Sequence, residues 1–323
     1  MPTTAYYRRI LSAYILGGKS HLTFWHDTPT VNPNANCTEL GEYYMMFAEK
    51  ADYQGHYDAF GIPQLDYHGA IGLQYNPIAI AQYGLGNYNL WCQTANLERK
   101  TKFLRVTDWL ASNLEPNQKG IAVWNHRFNW EYRETLKAPW YSALAQGQGI
   151  SLLVRAHKES GEARYLHAAG DAFVSFQRSI GDGGVAFIDQ SGDLWFEEYI
   201  VSPPTHILNG FIWALWGVYD YWLATNENTA RELFARGVRT LLHNLERYDT
   251  GFWSLYEQSG TRLPMLASTF YHRLHVVQLR VMHRLTGEEN FARVADRWQS
   301  YAESRMNRAR ALTSKAAFKL LHY

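Results

Sequence analysis

Two interleaved repeats predict an α/α toroid: a mainly helical ring of helix pairs with aromatic loops and short hairpins. In the first repeat an amphipathic helix runs through a glycine turn into a short aromatic strand. It occurs as VTDWLASNLEPNQKGIAVW, AFVSFQRSIGDGGVAFI and GVRTLLHNLERYDTGFWSLY. The turn glycines Gly120, Gly184 and Gly251 lie 64 and 67 residues apart. In the second repeat a helix meets another helix across a short turn, as in VRAHKESGEARYLHAA, YDYWLATNENTARELFARG and MHRLTGEENFARVADRW. Those turns centre on Gly161, Asn226 and Gly287, 65 and 61 residues apart. A fixed period of this length marks stacked supersecondary units that share one core.

Taken in order, residues 1–74 read as an irregular segment with a few strands. TFWHDTPTVNPN and DAFGIPQLDYHGAIGLQYNP are rich in Gly, Pro, Asn and aromatics and are expected to pack on the ring. Residues 75–323 read as the ring itself. Ile150, Leu153, Val154 and His157 recur at helical spacing and give one apolar face. FIWALWGVYDYWL is the longest apolar helix, and the stretch from Ala302 to Tyr323 reads as a final helix. Short turns fall on one end of such a ring and long aromatic loops on the other. The loop end is the expected site, because function concentrates on loops held by a rigid scaffold.

Composition narrows the function classes. Hydrophobic residues make up 46% of 323, enough for a large core. With 31 basic and 30 acidic residues the net charge is +1, which points away from nucleic acid and anionic membranes. Arg8 and Arg9 precede an apolar run, Ile10 to Leu16, too short to span a bilayer and without a small-residue cleavage site. A cytoplasmic location is the resulting expectation, with a periplasmic or secreted one as the alternative. Cys37 and Cys92 make no disulfide framework. The aromatic share is 15%, with 22 Tyr, 15 Phe and 12 Trp. Rings beyond core needs line sugar sites by stacking on pyranose faces, although a Tyr-rich core accounts for the same number.

Four stretches could carry chemistry. Glu197-Glu198-Tyr199 precedes Pro203 and Pro204 and the longest apolar helix. Neighbours in an extended loop point to opposite sides, so one carboxylate can face a cleft while the other pairs elsewhere. SLYEQSG carries Tyr256 at the end of an aromatic loop. STFYHRLHVVQLR carries Tyr271, His272, Arg273 and His275. HRLH has no third ligand nearby, so packing histidines are expected rather than a metal, and no cofactor is expected. In WYSALAQGQGISLLVRA, Gln146 and Gln148 flank Gly147. The glutamines either hold sugar hydroxyls or surround a glycine that a close helix crossing requires. No GxSxG elbow, Walker loop or dinucleotide fingerprint is present.

WYSALAQGQGISLLVRA, LWFEEYIVSPPTHILNGFIWALWGVYDY, YDTGFWSLYE, FYHRLHVVQL and NPIAIAQYGLGNYN resemble the C-terminal catalytic domain of the D-glucuronyl C5-epimerases. The resemblance runs from about Tyr75 to Tyr301 and implies an α/α barrel acting on heparosan-like polymers of uronic acid. It implies catalytic roles for Glu198, Tyr199, Tyr256 and Tyr271, with Glu197 in support. Trp140, Gln146, Gln148, Asn209, Arg262, His272, Arg273 and His275 are the expected substrate contacts. Animal members carry an arginine where this chain has Ser259, so Arg262 or Arg273 is expected to meet the substrate carboxylate. A β-rich domain precedes the barrel in those members, and this chain is too short for all of it. A uronan lyase proceeding by β-elimination shares the intermediate and is the alternative enzyme. An inverting glycosidase would need a second carboxylate, for which Asp66, Asp189 and Asp249 are candidates. A polysaccharide-binding protein without catalysis is the non-enzymatic alternative. The uronan is the expected partner, and the sequence leaves room for a homodimer.

Overall fold

The computed structural model describes residues 21–260 and 264–322; Arg8, Arg9 and the apolar run after them lie outside the described residues, as does Arg262. The chain folds as an α/α toroid. In order, the elements are α1 (His21–Trp25), β1 (Thr30–Val31), β2 (Met45–Met46), α2 (Ala48–Ala51), and the three-stranded antiparallel sheet β3 (His56–Tyr57), β4 (Pro63–Asp66) and β5 (Leu73–Gln74). The ring follows as four helix pairs among the described residues. They are α3 (Pro77–Thr94) with α4 (Leu97–Ser112), α5 (Ala143–Ser160) with α6 (Ala163–Phe173), α7 (Leu208–Thr225) with α8 (Asn228–Asn244), and α9 (Thr269–Thr286) with α10 (Glu289–Glu303). A last helix, α11, spans Arg305–His322.

Local chemistry sets where these helices start and stop. Asn76 accepts hydrogen bonds from the amides of Ile78 and Ala79, with Pro77 as the first helical residue of α3. Ser142 and Ser268 cap α5 and α9 in the same way. The short turns end each inner helix on a left-handed residue: Ala95, Gly161, Asn226 and Gly287, with φ of 55°, 72°, 57° and 73°. The expected turn residues Gly161, Asn226 and Gly287 hold these positions. Ala95 marks a fourth pair that the sequence repeat did not reveal, because alanine is not a turn signal. Gly184 departs from its expected role. The left-handed residue there is Gly183, and Gly184 is small because a Cβ would meet the Arg178 carbonyl at 2.0 Å.

α3, α5, α7 and α9 form the inner layer, and the amphipathic α4, α6, α8 and α10 pack outside it. α5 and α7 cross closely. A Cβ on Gly147 would lie 2.6 Å from Ala214 Cα, and one on Gly217 would lie 2.3 Å from Gly147 Cα. A methyl at either glycine would overpack this contact by about 1–3 kcal/mol. β1 packs on α9 and α2 on α3, so residues 30–51 bridge the first and last inner helices. The C-terminal ends of α5 and α7 are tied by a fully buried ion pair, Arg155 Nη1 to Asp220 Oδ2 at 2.6 Å, with the Tyr44 hydroxyl donating to Asp220 at 2.6 Å. No helix among the described residues is long and apolar enough to cross a membrane.

Candidate active site

The N-terminal ends of the inner helices face a cavity of about 210 Å³. α3 contributes Asn76, Ile78 and Gln82, α5 contributes Leu144, α7 contributes Asn209 and Trp213, and α9 contributes Phe270, Tyr271 and Leu274. The hairpins between the pairs complete the wall. β6 (Glu115–Pro116) with β7 (Ala122–Val123), and β8 (Trp130–Glu131) with β9 (Thr135–Leu136), bring His126, Phe128, Trp130 and Trp140. β10 (Ala186–Ile188) and β11 (Leu194–Phe196) deliver Glu198 and Tyr199. The partial positive charge at the starts of four helices makes this end of the ring favourable for an anion.

The Glu-Glu-Tyr motif divides its two carboxylates. β11 pairs in register with β10, Ala186 opposite Phe196, and the chain leaves the ladder extended. Glu197 turns away from the cavity, where its Oε1 lies 2.5 Å from His206 Nδ1 and its Oε2 accepts the His206 amide at 3.2 Å. His206 stacks on Trp195 at 4.3 Å. Glu198 turns the other way and lines the cavity, with Asn209 Nδ2 at 3.4 Å from Oε2. Gly210 makes room for it: a Cβ there would sit 2.1 Å from Glu198 Oε2. Burial drives the Glu198 carboxyl up to about 8; the Tyr199 hydroxyl opposes this and the Glu197 charge adds to it. That value lets one group both hold and release a proton near neutrality.

Three tyrosines gather beside Glu198. Tyr199 packs edge-on against Trp140 at 5.7 Å and tilted against Tyr132 at 4.6 Å. Tyr271 lines the cavity and meets Tyr256 edge-on at 4.9 Å. Tyr256, expected to act directly, is not among the residues that line the cavity; it lies buried against Tyr271 and close enough to Glu198 for that charge to act on its hydroxyl. Burial holds the Tyr199 and Tyr256 hydroxyls well above the usual phenol range, with the Glu198 charge second.

The other sequence expectations divide. Trp140 and Asn209 line the cavity. Gln146 does not. Its Oε1 accepts the Trp124 amide at 3.0 Å, and its Nε2 donates to the carbonyls of Ala122 and Ala172 and to Ser175 Oγ at 3.1–3.2 Å. Gln148 receives a hydrogen bond from Gln82 at 3.0 Å, and it is Gln82 that reaches the cavity. The structural reading of this motif holds: the glutamines are buried around the close crossing at Gly147. His272 is likewise structural. It stacks on Trp253 at 3.8 Å, its Nδ1 accepts the Ser254 amide at 3.1 Å, and its Nε2 donates to the Trp298 carbonyl at 2.9 Å. Burial lowers its imidazole to about 4, which keeps it neutral. His275 shares the Ser254 hydroxyl at 3.0 Å and is buried away from the cavity. Arg273 is exposed on the outer face of α9. At 100° per residue it points about 200° from Tyr271, and it is not among the residues that line the cavity. The candidate second carboxylates are occupied elsewhere. Asp66 pairs with His68, Asp189 accepts from Trp195 Nε1, and Asp249 accepts from Trp298 Nε1.

Several wall residues carried no sequence signal. His126 stacks on Trp140 at 3.8 Å and 5°, and its Nδ1 faces the Trp140 carbonyl at 3.3 Å. Burial lowers its imidazole to about 3. With that proton on Nδ1, Nε2 is an acceptor. His126 Nε2, Asn209 Oδ1, Gln82 Oε1 and Trp213 Nε1 are buried atoms of wall residues with no hydrogen-bond partner among the described residues. Such atoms are costly to leave unpaired, and three acceptors with one donor suit the hydroxyls of a sugar ring.

Residues 118–300, more than half of the chain, match the family model described as D-glucuronyl C5-epimerase C-terminus. The D-glucuronyl C5-epimerase of Caenorhabditis elegans is 36% identical over 215 residues, 62% of this chain and 35% of that one. An uncharacterized protein of Methanocaldococcus jannaschii is 29% identical over 205 residues, 61% of this chain and 65% of that one. The chain thus spans about a third of the first relative and just under two thirds of the second. Among solved structures, a D-mannose isomerase aligns with 94% of this chain and 71% of its own, at 9% identity and a TM-score of 0.49.

Proposed function

The chain belongs to the D-glucuronyl C5-epimerase C-terminal family, and we propose that it inverts C5 of D-glucuronate residues in a uronic-acid polysaccharide to give L-iduronate. The observation that carries this reading is the convergence of Glu198, Tyr199 and Tyr271 on one aromatic cavity. The C5 proton is weakly acidic beside an ionised carboxylate. Inversion needs one group to remove it and another, across the ring, to return one. Glu198 and Tyr271 are that pair. Glu198 suits the task because its carboxyl titrates near 8 rather than near 4.5. Tyr199 donates toward the enolate-like charge that develops, where a positioned donor is most effective. Tyr256 holds the Tyr271 ring from behind. Trp140 offers a stacking face, and the unpaired atoms of His126, Asn209, Gln82 and Trp213 take the ring hydroxyls.

The test is proton NMR of heparosan incubated with the protein in deuterium oxide. The expected result is loss of the C5 proton signal and growth of iduronate resonances without chain cleavage. Tyr271→Phe, which keeps the ring and removes the hydroxyl, should lower that rate by at least about 100-fold. Ultraviolet absorption from an unsaturated uronate would make the protein a lyase. Absence of both signals on every uronan tried would overturn catalysis.

A further inference from the structure

The site as described lacks an obvious partner for the substrate carboxylate. Position 259 is serine, Arg273 faces outward, and Arg133 lies in an ion pair with Glu257 at 2.7 Å. One lysine or arginine does line the cavity among the described residues, and it is Lys50. Lys50 comes from α2, the four-residue helix seated against α3. The seat is tight: a Cβ on Gly86 would lie 2.4 Å from the Phe47 carbonyl and 3.1 Å from Ala51 Cβ. The ammonium is therefore placed by rigid backbone. It is 3% exposed, donates to the Phe24 carbonyl at 2.6 Å and lies 4.6 Å above the Phe24 ring.

Its only salt-bridge partner among the described residues is Asp27, at 3.4 Å. Charge-assisted hydrogen bonds close to about 2.7–2.9 Å, so this pair is loose. Asp27 belongs to residues 22–29, which cover the cavity beside Tyr271. His26 reaches the Tyr271 ring at 6.3 Å and Phe270 at 5.1 Å. Burial pushes the Asp27 carboxyl up and the Lys50 ammonium down, so both charges are desolvated more fully than they are paired. A carboxylate that could approach the ammonium more closely would recover what the loose pair leaves unmade.

Building on the uronan reading, we propose that Lys50 binds the substrate carboxylate and that Asp27 occupies this position until a uronate displaces it. The uronate replaces Asp27 at the ammonium, and the released Asp27 carboxyl, which burial already pushes up, takes a proton from solvent, so the cavity keeps its charge balance. It also puts positive charge beside the group whose negative charge suppresses C5 acidity, which is the requirement the family's arginine position leaves unmet here. Asp27 in turn makes the empty site reject neutral sugars, since they cannot replace its charge.

The experiment measures binding of methyl β-D-glucuronide and methyl β-D-glucoside by ligand-observed NMR, together with C5 exchange on heparosan. Lys50→Met alone would strand a buried carboxylate and could unfold the chain. The informative variant is therefore Asp27→Asn combined with Lys50→Met, which removes both charges and keeps both shapes, its folding checked by circular dichroism. Wild type should prefer the glucuronide by about 10- to 100-fold, the usual worth of a hydrogen bond to a charged group, and the double variant should lose that preference. Asp27→Asn alone should bind the glucuronide more tightly than wild type, because the competing carboxylate is gone. A folded double variant that keeps the preference would overturn the proposal, as would a wild type with none. If the preference depends on Lys50 but no C5 exchange occurs, the anchor stands and the epimerase reading falls.

Discussion

Replacing Glu198 with glutamine should make the protein more stable, and increasingly so as pH rises. Glu198 is 5% exposed, and its carboxyl is driven up to about 8 from an ordinary 4.5. Between those values the folded chain holds a proton that the unfolded chain has released. Stability then falls as pH rises, because the native state binds more protons than the unfolded state. The penalty is absent below 4.5, grows across the interval and is complete above 8. The interval is 8 − 4.5 = 3.5 units. At about 1.36 kcal/mol per unit the ceiling is about 5 kcal/mol. Glutamine carries no titrating proton, keeps the side-chain shape and can still meet Asn209. Every other titrating group is common to both proteins and cancels. Urea unfolding followed by tryptophan fluorescence, at pH 5, 6.5, 8 and 9, reads the difference directly. Glu198→Gln should gain about 2–5 kcal/mol on wild type between pH 5 and 9. Parallel curves, or wild type gaining on the variant, would show that the carboxyl titrates normally and is not the desolvated acid described above.

Gly210→Ala should lower C5 exchange by at least about tenfold and cost about 1–3 kcal/mol of stability, since its methyl would lie 2.1 Å from Glu198 Oε2 and 2.7 Å from Glu198 Cβ and push the carboxyl out of place. A wild-type exchange rate in this variant would mean that the position of Glu198 is not critical. Gln146→Ala should destabilise the chain by about 2–4 kcal/mol in urea unfolding, because it removes the partner of the Trp124 amide and a donor to the Ala122 carbonyl in the core. Its folded fraction should keep the wild-type KM, which would rise if Gln146 bound sugar. Arg273→Ala should change stability by no more than about 0.5 kcal/mol and leave the KM for polymer unaltered.

How much of this was legible in the sequence depended on the distance over which each feature is determined. The ring was legible because a helix pair is a local object, and its turn residue must accept a positive φ. Gly161, Asn226 and Gly287 announce that, and Ala95 does not, so the first pair was missed as a repeat. Glu197-Glu198-Tyr199 was legible for a similar reason. Alternation along an extended chain is a one-residue rule, and it separated the carboxylates as observed.

The cavity walls were not legible, and helix phase explains most of the failures. On an amphipathic outer helix the polar stripe shows which way each residue points. α5 is buried on all sides from Ala143 to Ala156, so nothing in its sequence separates a glutamine facing the cavity from one facing another helix. Gln146 and Gln148 were ambiguous on that account, and the crossing at Gly147 decided between their two readings. α9 does show a phase: Tyr271 and His275 share one face, while Arg273 falls opposite. The arginine closest in sequence to the motif tyrosine is therefore exposed and does not line the cavity. Lys50 illustrates the converse. In AEKAD a lysine reads as solvated, and only the bridge of residues 30–51 across the ring makes it a wall residue some 220 positions before Tyr271 in the chain. A cation needed at the site can thus come from a segment with no motif at all. For that reason Ser259, at the position where the resemblance implies an arginine, is no evidence against binding of a carboxylate by this cavity.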